Sequence, residues 1–207
     1  MRVLLLSPHP DDIELGAGGT VVKLLENGAD ICWAVFSLCE DTAQKEMPKD
    51  TFKKEFLGVL SALKITKNHI YNFDNKNFPA RRQEIMDNLV EIKSAFNPEL
   101  VICPSTADVH QDHKVISEET VRIFKRDSSI VGYEQPWNNL AFKPSMFSKL
   151  TESQINKKWE LLSIYKSQFI KKRNYFSKDF ILGLARTRGV QCNSEFAESF
   201  EVIRWIM

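Results

Sequence analysis

Apolar residues fall into short runs along the first two thirds of the chain, and stretches with helical periodicity separate these runs. Strands that alternate with helices are typical of a parallel sheet joined by right-handed crossovers and covered on both faces. The pattern therefore predicts a Rossmann-like α/β fold, an open and mostly parallel sheet with helices on both faces. The predicted strands are "RVLLLS" (2–7), "ICWAVFSLC" (31–39), "HIYNF" (69–73), "ELVICPS" (99–105) and "SIVGYE" (129–134). The predicted helices between them span residues 18–27, 51–64, 79–96 and 118–126.

The alternation changes after Trp137. Residues 152–166 and 180–189 have the pattern of helices, and "SFEVIRWI" (199–206) has that of a late strand. Neither an internal repeat nor a linker rich in Pro, Gly or Ser separates this part from the rest. We therefore predict a single domain over residues 1–207.

Composition and charge exclude several classes of protein. The 207 residues include 14 Phe and carry a formal charge of +1, so there is material for a large core and no strong field to attract nucleic acid or an acidic membrane. The first apolar run is too short for a signal peptide, and no segment approaches the roughly 20 apolar residues of a membrane span. The four cysteines form no CxxC pair and are expected to be reduced thiols (Cys32, Cys39, Cys103 and Cys192). A cytoplasmic protein without membrane insertion is the expectation, and the sequence is compatible with a homo-oligomer.

Two segments concentrate ionisable residues at the ends of predicted strands. "SPHPDDIELGAGG" (7–19) follows the first strand, and "STADVHQDH" (105–113) follows the fourth. Together they hold three of the four histidines of the chain. Because ligands bind at the carboxyl edge of open parallel sheets, we expect the two segments to meet there.

Histidines and an aspartate that converge from these segments would form a set of nitrogen and oxygen ligands. Such a set binds zinc, and three protein ligands leave a position open for water, as in catalytic sites. The same set could hold Fe(II). An alternative is that the aspartates only cap the following helix, but capping needs one Asp and no His. A dinucleotide site is disfavoured, since Val21 stands where the glycine fingerprint requires Gly or Ala.

The same residues carry a family resemblance. "PHPDDIELGAGG" resembles the P/A-H-P-D-D-x-E-x-x-x-G-G signature of the PIG-L / LmbE-like zinc-dependent N-deacetylases. "HQDH" (110–113) is similar to their H-x-D-H element, and "RTRGVQCNSEFAESFEV" (186–202) is similar to their closing segment. The resemblance implies a hydrolase that removes the acetyl group from an N-acetylglucosamine-type amino sugar or its conjugate.

Position by position, the resemblance implies one zinc ion per chain with His9, Asp12 and His113 as its ligands. It implies Asp11 as the general base. It implies that His110 stabilises the tetrahedral intermediate or protonates the leaving amine. Asp112 would orient His110, and Glu14 would lie behind the ligands.

Substrate contacts are less closely defined. Many members of the family place an arginine in the loop after the second strand, whereas residues 40–55 contain four lysines and no arginine. Hydrolysis of a non-sugar amide and a non-catalytic binding module remain as alternatives. The basic run "KSQFIKKR" (166–173) is predicted to be a solvated helix end rather than an anion site. The candidate substrate contacts are Lys45, Lys49, Lys53, Lys54, Asp74, Lys76, Glu134, Trp137 and Asn138.

Overall fold

A computed structural model describes residues 1–42 and 47–207. The strands are β1 (Arg2–Ser7), β2 (Asp30–Val35), β3 (Lys67–Ile70), β4 (Leu100–Pro104), β5 (Ser129–Tyr133), β6 (Met146–Leu150) and β7 (Phe196–Arg204). The helices are α1 (Asp12–Glu26), α2 (Thr51–Leu63), α3 (Arg82–Phe96), α4 (Gln111–Phe124), α5 (Glu152–Leu162), α6 (Lys166–Ile170) and α7 (Lys178–Gln191). Short 3₁₀ turns occupy Glu40–Thr42 and Phe78–Arg81.

The seven strands form one sheet in the order β3-β2-β1-β4-β5-β7-β6. The strands from β3 to β5 in this order pair in parallel, and β7 pairs antiparallel with both β5 and β6. The chain builds outward from β1 in one direction and then returns to add β4 and β5 on the other side. This reversal places the topological switch point between β1 and β4, and the predicted fold class is confirmed.

Each face of the sheet packs on its own apolar core, because successive strand residues point to opposite faces. Val3 and Leu5 of β1 join the core that includes Ile155 of α5 and Ile181 of α7. Leu4 and Leu6 join the opposite core, which is covered by apolar residues of α3 and α4. All four of these β1 side chains are fully buried, so the strand that precedes the first acidic segment is fixed from both sides.

Helix α1 begins earlier than its apolar periodicity predicts. It starts at Asp12 rather than near residue 18, so the acidic motif forms its first turn and the glycines lie inside it. A Cβ at Gly16 would lie 2.6 Å from the Tyr133 ring, and one at Gly19 would lie 2.5 Å from Leu150. These glycines therefore allow α1 to pack closely on β5 and β6, which compensates for their low helix propensity.

The sequence analysis predicted the antiparallel edge of the sheet, formed by β7 and β6, only in part. Strand β6 was not predicted, because its half-buried sequence "MFSKL" resembles a loop.

Among the described residues, no helix has the length and apolar character to cross a membrane. The four cysteines are free, and Cys32 and Cys103 are buried in the core, as expected for reduced thiols.

Candidate functional site

The segments after β1 and β4 meet at the switch point, as the sequence predicts. The first supplies His9, Asp11 and Asp12 at the beginning of α1, and the second supplies His110 and His113 at the beginning of α4. All five residues line one cavity of about 290 Å³. The capping alternative does not describe this turn, since Asp11 makes no side-chain capping bond.

Three side-chain atoms in this cavity have the spacing of metal ligands. His9 Nδ1 and His113 Nε2 each lie 3.3 Å from Asp12 Oδ2, and they lie 3.2 Å from each other. In a tetrahedron with bonds of about 2.0 Å, the usual zinc distance to N and O ligands, the corners are about 3.3 Å apart. The three atoms therefore match three corners of a tetrahedral zinc site.

The outer nitrogens of both imidazoles face carboxylates. His9 Nε2 lies 3.2 Å from Asp112 Oδ2, and His113 Nδ1 lies 2.8 Å from Asp108 Oδ2. Because an ionised carboxylate only accepts hydrogen bonds, each ring would keep its proton on the outer nitrogen in the neutral form that a metal ligand requires. The inner nitrogens then present lone pairs toward the same point as Asp12 Oδ2, as metal-binding imidazoles require.

The electrostatic field at this point favours positive charge. Burial would lower the pKa of His113, but the charge of Asp12 and the hydrogen bonds to Asp108 and Asp12 raise it to about 10. Burial would raise the pKa of Asp12, yet the charges and hydrogen bonds of His113 and His9 hold it well below its usual value. A site that stabilises a proton in this way also suits a divalent cation.

Asp112 has a different partner from the one that we expected. Its carboxylate contacts His9, not His110, and it also accepts the backbone N–H groups of Lys76 at 2.6 Å and Phe78 at 3.3 Å. The loop after β3 therefore fixes the carboxylate against His9. His9, His110 and Asp112 form a second group that could hold an ion, but these hydrogen bonds already engage the Asp112 oxygens.

Two amide side chains after β5 extend the ligand network. Buried Gln135 donates from Nε2 to Asp12 Oδ1 at 2.9 Å. Asn138 Nδ2 lies 3.3 Å from Gln135 Oε1 and 3.4 Å from Asp108 Oδ2, so it connects the surroundings of Asp12 with those of His113. Sequence reasoning placed Asn138 at the pocket but did not single out Gln135, whose only sequence signal was its position after a buried strand.

Asp11 and His110 line the cavity beside the three candidate ligands. Burial and the charge of Asp12 raise the pKa of Asp11 to about 6, and the charge of Arg173 opposes this shift. Burial and the charges of His113 and His9 lower the pKa of His110 to about 4. His110 also forms the N-cap of α4, where its Nδ1 accepts the backbone N–H of Asp112 at 3.2 Å.

Glu14 lies behind the turn and makes no side-chain hydrogen bond to the three candidate ligands. It is fully buried, and its Oε1 lies 2.6 Å from the Tyr165 hydroxyl, which is also 2.7 Å from the Pro10 carbonyl oxygen. Burial raises the pKa of Glu14 well above its usual value. Glu14 and Tyr165 together support the backbone that leads to Asp11.

Only some of the remaining candidate substrate contacts line the cavity. Trp137, Asn138 and Lys76 line the cavity, but Tyr175 covers one face of Trp137 with ring centroids 3.8 Å apart. Lys45 lies outside the described residues. The other candidates are not among the lining residues (Lys49, Lys53, Lys54, Asp74 and Glu134).

Two of these expectations need correction. Glu134 points away from the cavity, because its carboxylate is bound by the guanidinium of Arg188 and by Ser199 Oγ at 2.7 Å. The basic run 166–173 is not only a solvated helix end, since its Lys171 and Arg173 line the cavity. The sequence could not show that the chain turns back over the site after α6.

The fold and the site define an α/β protein with a candidate metal centre at the carboxyl edge of its sheet. A family model described as "PIG-L: GlcNAc-PI de-N-acetylase" matches residues 4–124, more than half of the chain. The chain belongs to the PIG-L family.

Curated relatives include several deacetylases. The uncharacterized deacetylase YaiS of Escherichia coli is 26% identical over 172 residues, which cover 80% of this chain and 90% of that protein. The diacetylchitobiose deacetylase of Thermococcus kodakarensis is 26% identical over 127 residues, which cover 55% of this chain and 45% of that protein. The second relative is therefore matched over less than half of its length.

Solved structures share the fold at low identity. The N,N'-diacetylchitobiose deacetylase of Pyrococcus horikoshii has a TM-score of 0.78 at 19% identity, covering 98% of this chain and 83% of that one. GalB, a 4-carboxy-2-hydroxymuconate hydratase of Pseudomonas putida, also has a TM-score of 0.78. It is 20% identical, and the match covers 100% of this chain and 97% of that one. Since one fold carries a deacetylase and a hydratase, the reaction must be inferred from the site.

The hydrogen bond from Gln135 gives a first prediction. Replacing Gln135 with methionine, which has similar volume and no N–H donor, leaves Asp12 Oδ1 without its partner. We expect zinc affinity to fall about 10- to 100-fold, as when the hydrogen-bond partners of metal ligands are lost elsewhere. Competition with a chromophoric chelator measures the change, and Asp74→Asn, at an exposed loop position, is the control. Unchanged affinity in Gln135→Met would show that this bond does not orient the ligand.

Proposed function

We propose that this protein is a zinc-dependent N-deacetylase that acts on an N-acetylglucosamine-type amino sugar or its conjugate and releases acetate. The observation that carries the proposal is the tetrahedral spacing of His9 Nδ1, Asp12 Oδ2 and His113 Nε2 beside the Asp11 carboxylate in one cavity. Membership of the PIG-L family and the deacetylase relatives support the same reaction.

Asp11 is the group placed to move protons in this reaction. Zinc held by the three ligands would supply Lewis acidity, which polarises the acetyl carbonyl and makes water reactive near neutral pH. Asp11 then takes a proton from the attacking water as the water oxygen bonds to the carbonyl carbon. The same carboxyl group returns that proton to the sugar nitrogen as the C–N bond breaks, so water and amide become acetate and free amine.

His110 is assigned to the carbonyl oxygen. Its Nδ1 accepts a backbone N–H, so the neutral ring must carry its proton on Nε2. A ring fixed in this tautomer offers an N–H donor to the oxygen on which negative charge develops. Of the two roles that the resemblance implied for His110, this geometry favours stabilisation of the tetrahedral intermediate over protonation of the amine.

The proposal is tested by metal content and acetate release on the same preparation. We expect about one zinc ion per chain, acetate release from N-acetylglucosamine or its methyl glycoside, loss of release after chelation, and recovery when zinc is restored. Acetylated amines and peptides serve as the comparison for a non-sugar amide. A zinc-loaded protein that deacetylates only those amides would refute the sugar assignment. Failure to bind metal under any loading condition would refute the proposal that the protein is a metal-dependent enzyme.

A further inference from the structure

The mouth of the cavity carries positive charge from a part of the chain outside the matched family region. Lys171 and Arg173 lie between α6 and α7, and both line the cavity. The Arg173 guanidinium donates to the Tyr175 hydroxyl, and the Tyr175 ring stacks on Trp137 at an interplanar angle of 10°. Arg173 is thus attached to a stacked aromatic pair that forms one wall of the cavity.

These cations differ from other basic side chains of the fold. Arg82 and Arg188 form ion pairs with Glu119 and Glu134. By contrast, no carboxylate of the described residues lies within 4.0 Å of the charged groups of Lys171 or Arg173. The Lys171 ammonium instead lies over the Phe52 ring, 4.9 Å from its centroid. Both positive charges therefore remain available to a ligand.

The net charge of the zinc-loaded site also favours an anionic ligand. Asp11 and Asp12 line the cavity, and Asp108 and Asp112 lie against its imidazoles. A divalent ion and the three cations Lys76, Lys171 and Arg173 would more than balance these four carboxylates, so the cavity would keep an excess of positive charge. A guanidinium and an ammonium at one mouth match the oxygens of a phosphate or a carboxylate.

We propose that Arg173 and Lys171 form an anion subsite, so that the preferred substrate is an amino sugar conjugate with a phosphate or carboxylate directed toward the cavity mouth. This inference rests on the proposed function and refines its substrate class. Arg173 is the main specificity residue, because its planar fork can bind two oxygens at once. Lys171 adds a second charge from the same segment.

The test compares neutral and anionic substrates at equal zinc loading. The neutral substrate is the methyl glycoside of N-acetylglucosamine, and the anionic ones are its 1-phosphate, its 6-phosphate and its carboxymethyl glycoside. The phosphates and the carboxylate separate the two sources of negative charge. We expect kcat/KM to be about tenfold or more higher for at least one anionic substrate, as charge-assisted hydrogen bonds predict. Salt should weaken the preference.

Substitutions separate binding from other roles of Arg173. Arg173→Gln should remove the preference through a higher KM for the anionic substrate, Arg173→Lys should retain part of it, and Lys171→Gln should weaken it. Lys172→Gln is the matched control, because Lys172 is exposed and is not among the lining residues. If Arg173 acted only through its charge on Asp11, Arg173→Gln would instead change kcat equally for all substrates, and this result would overturn the proposal.

Binding measurements keep the two proposals distinguishable. Calorimetry with the 1-phosphate and the methyl glycoside is run on the same zinc-loaded proteins. If no substrate releases acetate, the proposed function fails, and tighter binding of the 1-phosphate that Arg173→Gln abolishes would still support the anion subsite. Equal binding of the two sugars, or equal kcat/KM for neutral and anionic substrates in the wild type, would refute the anion subsite.

Discussion

Replacing Asp11 with asparagine is expected to lower kcat by about 10²- to 10⁴-fold, the usual contribution of a positioned general base. Asparagine has nearly the same shape as aspartate but cannot accept a proton at neutral pH. The Asp11 side chain makes no capping bond and is not one of the three candidate ligands, so the substitution should leave the fold and the metal content unchanged. Acetate release under saturating substrate and zinc content per chain measure the two effects.

His113→Ala is the comparison for this prediction. It removes one of the three ligand atoms, so we expect zinc content itself to fall and activity to disappear with it. The two variants should therefore lose activity for different reasons. Equal loss of metal in both would show that Asp11 is a ligand and that another group is the base.

The fold could be predicted from the sequence where burial is complete on both faces. Val3 to Leu6 and Val101 to Cys103 are almost fully inaccessible to solvent, and such continuous apolar runs indicate central parallel strands. The antiparallel edge was harder to predict, because β6 is half-buried and depends on pairing with β7, which follows it only after α5, α6 and α7. The start of α1 was missed because its first turn is acidic and Gly16 is a poor helix former, and the close contact of Gly16 with Tyr133 becomes visible only in three dimensions.

The candidate ligands could be predicted because residue type and topology together identify them. His9 and His113 are far apart in sequence, but both follow strands that end at the same edge. The partners of these ligands could not be predicted in the same way. Asp112 is two residues from His110, yet its carboxylate contacts His9, because the N-cap bond uses the Asp112 backbone and leaves its side chain free to turn toward the loop after β3.

The position of Arg173 shows a further limit of sequence patterns. A cluster of basic residues after a helix most often faces solvent, and this was the prediction for residues 166–173. The short helix α6 and the contact between Tyr175 and Trp137 bring the end of this run back over the cavity. That return depends on aromatic packing between distant segments, which no local pattern encodes.

Replacing Lys158 with methionine is expected to lower the free energy of unfolding by about 3–5 kcal/mol, the usual cost of removing one partner of a buried ion pair. Lys158 on α5 is 3% exposed, and its Nζ donates to Glu198 Oε1 at 2.7 Å and to the Leu15 carbonyl oxygen at 2.8 Å. Glu198 on β7 also accepts the backbone N–H of Thr20 at 2.7 Å. The pair therefore links α1, α5 and β7, and the substitution leaves a buried carboxylate without its counter-ion. Urea unfolding measures the effect.

The adjacent lysine provides a matched control for this prediction. Lys157 also forms an ion pair, with Glu160 at 2.9 Å, but both side chains are exposed, so Lys157→Met should cost at most about 1 kcal/mol. Adding Glu198→Gln to Lys158→Met should recover part of the lost stability, because the uncompensated charge disappears while one side-chain oxygen still accepts from α1. If the two lysine variants had equal stability, or if the double variant were less stable than Lys158→Met alone, the buried pair would not be what joins α1 to the edge of the sheet. Since α1 begins with Asp12, its attachment through Glu198 also bears on how firmly the candidate metal ligands are held.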